Sequence, residues 1–348
     1  FECELVVSQW QKLAGKWRCV SATNTALVSI DEAPWRACVL GLRDYIHKNH
    51  FKSVVLGLSG GIDSAIVAAI AVDALGPENV HCVMLPYRYT SKDSLKDAKE
   101  CADRLGVRYD IVPIGAPVEG VNTSLSEIFA GLEPDIAEEN IQSRLRGTIL
   151  MAVSNKLGSM LLTTGNKSEV SVGYATLYGD MNGGFNPIKD LLKMQVYHLA
   201  GWRNSNMPGD CLGPAGEIIP ATIINKAPSA ELRPNQSDQD SLPPYPVLDK
   251  IIAALVEDEL SVAQIVKLGF ARDLIKNIEK MIYIAEYKRR QAAPGVKLTK
   301  KAFGIGRKYP ITNRPCSTGC LPRPMMAPLS CALMIPTGNA PKPSLPKR

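Results

Sequence analysis

The sequence predicts an α/β protein, with a doubly wound, mainly parallel β-sheet, helices on both of its faces and further C-terminal helices. Three observations lead to this prediction. Short apolar, β-rich runs alternate with segments of helical period up to residue 164, and a glycine-rich loop joins the first run to the first such segment. Beyond residue 205 only helical periods return. In open sheets of this kind, ligands bind at the carboxyl ends of the strands.

The first part of the chain predicts four strands and three helices. The strand-like runs are short and apolar, and each is separated from the next by one helical segment, which is typical of parallel neighbours in a sheet. In chain order the predicted elements are the strand 54–58, the helix 65–75, the strand 80–85, the helix 94–105, the strand 107–114, the helix 137–157 and the strand 160–164.

The last of these helices carries an apolar stripe. Its members recur at helical spacing and are therefore expected to face the sheet. They are Ile141, Leu145, Ile149, Val153 and Leu157.

The pattern changes after residue 205. Residues 206–246 are rich in Pro, Gly, Ser and Asn and cannot form one continuous element, so they are either a mobile lid or a surface connection. Helices are predicted to follow at 247–257, 261–267 and 272–290. Residues 315–348 hold eight of the 25 prolines and show no period, which predicts a disordered tail.

Composition limits the possible functions. The 348 residues, 45% of them hydrophobic, are enough for one large core or two modest ones. The formal charge is +6, but the tail at 315–348 has four basic residues and no acid, so the preceding chain carries only about +2. So small a positive charge is only weak evidence for a nucleic-acid partner, and we expect none. The nine cysteines form no disulfide framework and make no metal cage with the four histidines. No signal peptide or apolar run of about 18 residues is present, so we expect a cytoplasmic protein with no membrane partner.

The loop SGGIDS, residues 59–64, lies between the first predicted strand and the first predicted helix. Backbone N–H groups at the amino end of a helix favour an anion, and Gly60 and Gly61 allow the chain to approach a phosphate closely. Asp63 would be repelled by a phosphate unless a cation such as magnesium lies between them. The alternative is a plain glycine turn in which Asp63 caps the helix.

This loop resembles the SGGxDS loop of the ATP pyrophosphatase family, whose members split ATP between the α and β phosphates and adenylate an acceptor oxygen. The resemblance implies the Rossmann-like ATP pyrophosphatase fold but leaves the acceptor open. The loop is neither a Walker A sequence nor a GxGxxG fingerprint.

Four further stretches, in this order, resemble the synthetase domain of NAD synthetases, and in particular their glutamine-dependent branch. They are ENIQSRLRG from Glu139, TTGNKSEVSVGYATLYGDMNGGFNPIKDLLK from Thr163, KAPSAELRP from Lys226 and EYKRRQAAPG from Glu286. The resemblance covers residues 35–314. Residues 1–34 are then interpreted as a linker or remnant before that domain, and a lead-in helix is expected at the end of the run that reaches residue 49.

The resemblance implies a role for each matching residue. Asp63, Glu169 and Lys193 would be catalytic, with magnesium held by Asp63 and Glu169. Residues that match the family's deamido-NAD site are Asn140, Arg146, Glu169 and Lys288. Those that match its ATP site are Gly57, Leu58, Ser59, Gly60, Gly61, Ile62, Asp63, Ser64, Thr164, Lys193 and Ser229. Taken singly, most have a plain alternative as surface charges or element ends.

The implied reaction is a ligase reaction in NAD biosynthesis. A carboxylate would only ionise ammonia, so the nicotinate carboxylate of deamido-NAD is first joined to AMP, and ammonia then displaces AMP. The site must align the reactants and neutralise charge on the departing pyrophosphate. The resemblance also implies at least a homodimer, formed through the sheet-flanking helices.

The two ends of the chain depart from the family pattern. The glutamine-dependent branch carries an amino-terminal glutaminase domain, and only some 50 residues precede the first strand, so we expect this chain to use free ammonia. The tail after residue 314 has no counterpart in the family. Two alternatives therefore stay open, a tRNA-modifying ATP pyrophosphatase and an inactive fragment that needs partners.

Overall fold

The computed structural model describes residues 5–22, 28–234 and 236–311 of the chain. Its first element is a two-stranded antiparallel hairpin of β1 (Ser8–Leu13) and β2 (Lys16–Ala22). Within residues 1–34, which the sequence predicts to be a linker or remnant, this hairpin forms because the β-rich run KWRCVSA pairs with the strand before it. The predicted tail at 315–348 lies outside the described residues.

The central sheet has four parallel strands, which are β3 (Val54–Gly57), β4 (Val80–Met84), β5 (Arg108–Ile111) and β6 (Met160–Leu161). Their order is β5-β4-β3-β6, so the chain runs outward from β3 to β5 and then returns to the other side of β3. The predicted fold class is confirmed. The strand β6 is shorter than predicted because the backbone N–H of Thr163 donates a hydrogen bond to the carbonyl of Phe185 at 3.0 Å.

Twelve α-helices lie in the described part of the chain. Helix α5 begins at a capping box of Asp135 and Glu138 and ends at Gly158, whose φ is +67°. The helices are α1 (Glu32–Lys48), α2 (Ile62–Leu75), α3 (Lys92–Leu105), α4 (Gly115–Leu125), α5 (Ile136–Leu157), α6 (Lys167–Val172), α7 (Lys193–Ser205), α8 (Ala221–Asn225), α9 (Tyr245–Ile252), α10 (Val262–Val266), α11 (Arg272–Ile284) and α12 (Glu286–Arg289).

Helices cover both faces of the sheet. Val54 and Leu56 point to one face, where they pack with α1, α2, α3 and α7. Val55 points to the other face and packs with Val118 of α4 and the half-buried apolar side chains of α5. Side chains alternate across a strand, so each strand contributes to two cores. This arrangement is the doubly wound architecture that the sequence predicts.

The predicted stripe of α5 faces the sheet as expected for four of its five members. Ile141, Leu145, Ile149 and Val153 pack against the cluster that includes Val55. The fifth member, Leu157, is 48% exposed, because it lies in the last turn of the helix, beyond that cluster.

A third core is built by the C-terminal helices α9, α10 and α11, which pack against Val170 and Val172 of α6. The three predicted helices are present, with altered ends. The first starts at Tyr245 and continues as a π-helical segment, Ala253–Glu257. The last is divided at Ala285, where the buried carboxylate of Glu286 starts the separate helix α12.

Four helices were not predicted, namely α4, α6, α7 and α8. Segment 206–246 is irregular apart from α8 and a 3₁₀ turn, Asp238–Asp240, which confirms that it is no continuous element. The five cysteines of the described residues, Cys19, Cys38, Cys82, Cys101 and Cys211, are free thiols. No helix in the described ranges is long and apolar enough to cross a membrane.

Candidate active site

A cleft of about 330 Å³ lies where β3 and β6 end. These two strands are neighbours in the sheet although β6 follows β5 in the chain, because the chain reverses its direction across the sheet between them. Such a switch point opens a crevice at the carboxyl ends of parallel strands, where α/β proteins bind their ligands. Residues 57–59 and 61–64 form one wall of the cleft and residues 162–165 another.

The loop after β3 turns at Gly60, whose φ is +80°. A Cβ atom there would lie 2.3 Å from the backbone oxygen of Ser94, so only glycine fits. The hydroxyls of Ser59 and Ser64 lie 3.1 Å apart, and Ser64 also donates to the carbonyl of Gly61 at 2.9 Å. The loop therefore has a fixed shape at the amino end of the 14-residue helix α2, where an anion is favoured.

Asp63, Glu169 and Lys193 form an ion cluster in this cleft. Lys193 is buried, and its Nζ lies 3.0 Å from Oε1 of Glu169 and in direct contact with Oδ2 of Asp63. The other oxygen of Asp63 accepts a hydrogen bond from Nδ2 of Asn166 at 2.9 Å. The carboxylates of Asp63 and Glu169, which are far apart in the sequence, thus share the buried ammonium group of Lys193.

The cluster holds more negative than positive charge. Burial raises the pKa of Glu169 to about 7, and the Asp63 carboxylate adds to the rise, whereas the Lys193 ammonium opposes it. Burial by itself lowers the pKa of Lys193, but Asp63 and Glu169 outweigh it, and the net pKa is raised. The Lys193 ammonium stays protonated. Because two carboxylates face this single cation, the cluster can accept further positive charge.

A hydrogen-bonded brace fixes the residues of this cluster. Asn166 caps α6 by accepting from the backbone N–H of Glu169 at 3.0 Å. Asp249 of α9 accepts from the Ser168 hydroxyl at 2.5 Å and from the backbone N–H of Met194 at 2.8 Å. The Ser168 hydroxyl in turn accepts from the backbone N–H of Lys193 at 2.9 Å. The starts of α6 and α7 are therefore tied together.

The cleft contains further charged groups. Glu231 accepts hydrogen bonds from the hydroxyl of Ser94 at 2.7 Å and pairs with Lys226 at 3.3 Å. Arg146 donates from Nε to the carbonyl of Leu85 at 3.0 Å. Burial lowers the pKa of Arg146 to about 10, with Glu231 acting in the other direction, so the guanidinium remains a cation.

Most residues that the sequence singles out line the cleft, and three do not. Asn140 accepts from the Thr176 hydroxyl at 2.9 Å, and Lys288 donates to the carbonyls of Gly173 and Ala175 at 2.8 and 2.7 Å. Gly60 faces Ser94 instead. Those that line the cleft are Gly57, Leu58, Ser59, Gly61, Ile62, Asp63, Ser64, Arg146, Thr164, Glu169, Lys193 and Ser229.

Several polar residues that line the cleft or hold its lining residues escaped the sequence analysis. Asn166 had a usable signal, because an Asn three residues before a Glu is typical of a helix start. Three of the others lie within the stretches that resemble NAD synthetases but were not singled out there, and Asp238 lies in a segment without a period, where nothing in the sequence indicated that it reaches the cleft. They are Asp180, Lys226, Glu231 and Asp238.

The residues present fit a magnesium ion. Asp63 and Glu169 offer carboxylate oxygens, the donors that Mg²⁺ prefers, and both already contact one cationic group. Magnesium usually takes only one or two carboxylates and completes its shell with substrate phosphates and water. In keeping with this, the described residues contain no group of three or more His, Cys, Asp or Glu side chains arranged for a metal.

The parallel sheet, the SGGIDS loop at the switch point and the paired acids beside a lysine define an α/β nucleotide-binding protein of the ATP pyrophosphatase class. The chain belongs to the NAD synthase family, since the model of that family matches residues 34–292.

Curated relatives agree with this assignment. The glutamine-dependent NAD(+) synthetase of Rhodobacter capsulatus is 58% identical over 314 residues, which are 90% of this chain and 57% of the relative. That of Thermotoga maritima is 51% identical over 284 residues, 82% of this chain and 48% of the relative. The chain thus spans about half the length of the curated relatives it matches.

Solved structures are similar in fold as well. A glutamine-dependent NAD+ synthetase from Acinetobacter baumannii, in complex with adenosine diphosphate, is 42% identical with a TM-score of 0.56, and the match covers 85% of this chain and 52% of that one. An NH3-dependent NAD synthetase from Campylobacter jejuni is 26% identical with a TM-score of 0.55 and is matched over 94% of its length.

Proposed function

We propose that this chain catalyses the ATP-dependent amidation of deamido-NAD to NAD, with release of AMP and pyrophosphate. The observation that carries the proposal is the buried cluster of Asp63, Glu169 and Lys193 next to the SGGIDS loop. The names of the family and of the curated relatives support the same reaction.

The loop side of the cleft is proposed to bind ATP. The amino end of α2 suits phosphate oxygens, because its backbone N–H groups are hydrogen-bond donors in a fixed geometry, and the hydroxyls of Ser59 and Ser64 hold the loop in that shape. Thr164 and Ser229 line the same cleft. The Acinetobacter baumannii structure was solved with adenosine diphosphate, which supports an adenine nucleotide site in this fold.

In the first proposed step, the nicotinate carboxylate attacks the α phosphorus of ATP, and the bond to the β phosphate oxygen breaks. Lys193 stabilises the charge that develops on the pyrophosphate, because its ammonium is held protonated in a buried site. Asp63 and Glu169 would hold the magnesium ion, which when bound neutralises part of the phosphate charge. No side-chain nucleophile is required, since the substrate supplies its own.

Deamido-NAD is proposed to bind along the far wall, near Arg146 and segment 173–182. Asn140 and Lys288 hold that segment through Thr176 and through the carbonyls of Gly173 and Ala175. Through these contacts, the two residues orient the wall against which the dinucleotide lies. The Arg146 cation, buried beside the cleft, suits an anionic substrate.

A direct assay tests the proposal. The chain is incubated with ATP, magnesium, deamido-NAD and ammonium, and the NAD and AMP that form are quantified. The variant Asp63→Ala is assayed in the same way and should lose pyrophosphate release. Asp44→Ala, an exposed acid of α1, serves as the control. Absence of NAD at saturating ammonium would refute the amidation. Replacing ammonium by glutamine tests the nitrogen source, because we propose that these residues take ammonia directly.

We also propose that the chain forms a homodimer through the α5 side of the sheet. Large apolar side chains are exposed at the start of this helix and just before it, namely Ile128, Leu132 and Ile136 at 72, 69 and 67%. Clustered exposed apolar groups are typical of protein–protein contacts. A second copy would bury them.

A further inference from the structure

Glu231 is an acid of the cleft that the proposed reaction does not use, and its backbone is strained. Its φ is +50°, in the left-handed region that residues other than glycine seldom adopt. It belongs to a strap, residues 226–232, whose members all line the cleft. Strain of this kind persists only where the surrounding contacts hold a residue in place, and it is concentrated at functional sites.

The carboxylate of Glu231 binds the start of helix α3. Its Oε1 accepts hydrogen bonds from the hydroxyls of Ser94 at 2.7 Å and Ser91 at 2.9 Å, and its Oε2 accepts from the backbone N–H of Ser91 at 3.2 Å. Lys226, the first residue of the strap, lies 3.3 Å from Oε1 and also contacts the Ser94 hydroxyl. Burial raises the pKa of Glu231, but the hydrogen bonds from Ser94 and Ser91 outweigh it, and the net pKa is lowered. The carboxylate therefore stays charged and fastens the strap to α3.

Ser94 links this carboxylate to the SGGIDS loop. Its backbone oxygen is the atom that a Cβ at Gly60 would meet at 2.3 Å, so the start of α3 packs directly against the turn of the loop. Ser91 caps α3 by accepting from the backbone N–H of Ser94 at 3.1 Å. Because the contact between Ser94 and the loop is so close, a displacement of Ser94 would displace the loop as well.

The residue after Glu231 is held from the other face of the sheet. The carbonyl of Leu232 accepts a hydrogen bond from Nε2 of the buried Gln142 at 2.9 Å, and the N–H of Leu232 donates to Oε1 of Gln236 at 2.8 Å. Gln142 belongs to α5, whereas Glu231 is bound to α3, and these two helices pack on opposite faces of the sheet. The strap is therefore anchored to both helical layers at the point where its backbone is strained.

We propose that Glu231 is a positioning residue for ATP, which holds the strap with Ser229 and the Gly60 turn in a fixed relation across one cleft. This inference rests on the proposed ATP site. A carboxylate repels phosphate groups, so Glu231 acts through Ser94 and the strap and not by contact with the phosphates. The four hydrogen bonds that its carboxylate accepts offset the strain of its backbone.

The test compares two acids of segment 206–246 in the full chain. Glu231→Gln keeps the size of the side chain but removes its charge and turns an amide group towards hydrogen-bond donors. We expect the Kd of ATP, measured by calorimetry with magnesium, to rise about tenfold, while the deamido-NAD KM at saturating ATP and the urea midpoint stay unchanged. Glu217→Gln is the matched control, because Glu217 also pairs with α3, through Arg104 at 2.9 Å, but is exposed and does not line the cleft. It should leave the Kd of ATP as in the wild type.

A double-mutant cycle tests the route through Ser94. Ser94→Ala should also weaken ATP binding, and adding it to Glu231→Gln should cause little further loss, because both changes remove the same hydrogen bond. Fully additive losses overturn the inference.

The remaining outcomes separate Glu231 from the ATP site as a whole. A wild-type chain that binds no ATP refutes the proposed site itself. A wild-type chain that binds ATP, together with a Glu231→Gln variant of unchanged affinity, overturns the role of Glu231 alone. So does a variant that loses ATP and deamido-NAD affinity alike and unfolds at lower urea. If Glu231→Gln fails to fold, Ser94→Ala carries the test, and an unchanged Kd of ATP in that variant overturns the inference.

Discussion

Lys193 illustrates how single residues determine this site. A fully buried ammonium normally destabilises a fold unless its partners repay the lost hydration. Here two carboxylates, Asp63 and Glu169, contact the same nitrogen, and the net effect is a raised pKa. The arrangement keeps a permanent positive charge beside the loop that is proposed to hold ATP, which suits a site for a departing pyrophosphate.

The glycines of the loop differ in what they require, and this predicts different results for two substitutions. Gly60→Ala should lower the free energy of unfolding by about 1–3 kcal/mol, because φ is +80° and the new Cβ would meet the Ser94 carbonyl at 2.3 Å. Gly61→Ala should change it by less than about 1 kcal/mol, because its nearest contact, the Ser59 hydroxyl, is 3.4 Å away. Urea unfolding of both variants measures this, and equal losses would contradict the prediction.

At the scale of elements, α6 depends on its neighbours. A helix of six residues has little stability of its own. It is fixed by the Asn166 cap, by the buried pair of Lys167 with Asp190 at 2.7 Å and by the Ser168 hydroxyl at Asp249. The helix that carries Glu169 is therefore positioned by the C-terminal helices as much as by the sheet.

Two buried serines of α6 provide a matched test of this brace. Ser168→Ala should cost about 1–3 kcal/mol of stability, because the Asp249 carboxylate and the backbone N–H of Lys193 both lose their partner. Ser171→Ala should cost less than about 1 kcal/mol, because its hydroxyl only bonds back to the Lys167 carbonyl. Thermal unfolding compares the two, and pyrophosphate release should fall in the first variant alone. A larger loss for Ser171→Ala would argue against the brace.

At the scale of the whole molecule, two faces of the sheet have different coverage. The face under α1, α2, α3 and α7 is a large closed core, while α5 on the other face keeps its apolar stripe only half buried. Helix α5 ends at Leu157, which is also exposed. This asymmetry is the physical ground for the proposed dimer.

Substitution at that surface tests the dimer. Leu132→Asp combined with Ile136→Asp should shift the chain to a monomer, because two charges would have to be buried in the interface. Leu268→Asp, a comparably exposed leucine in the C-terminal helical part, should leave the oligomeric state unchanged. Sedimentation velocity reads out the result. A wild-type chain that is monomeric at micromolar concentration would rule the interface out.

Much of the fold could be predicted because its signals are local. The strands at Val54 and Val80 are short apolar runs, the helix α2 is apolar throughout, α3 carries a strong helical period, and α5 has a capping box and a terminal glycine. Helix α6 was missed because it is only six residues long, and α7 because its apolar period is weak; both owe their boundaries to contacts with distant segments. The hairpin β1–β2 was missed because the sequence of its two strands was interpreted as part of a linker.

The sequence alone determined the order of the four sheet strands and of the helices α2, α3 and α5 between them, the turn at Gly60 and Gly61 and the acids and lysine suited to phosphate chemistry, because each depends on residue type and short spacing. The tertiary structure alone decided that Asp63 and Glu169 share the buried nitrogen of Lys193 and that Asn140 and Lys288 hold a wall of the cleft. The physical reason is that charge and hydrogen bonding depend on distances of a few ångströms between groups that lie up to a hundred or more residues apart in the chain.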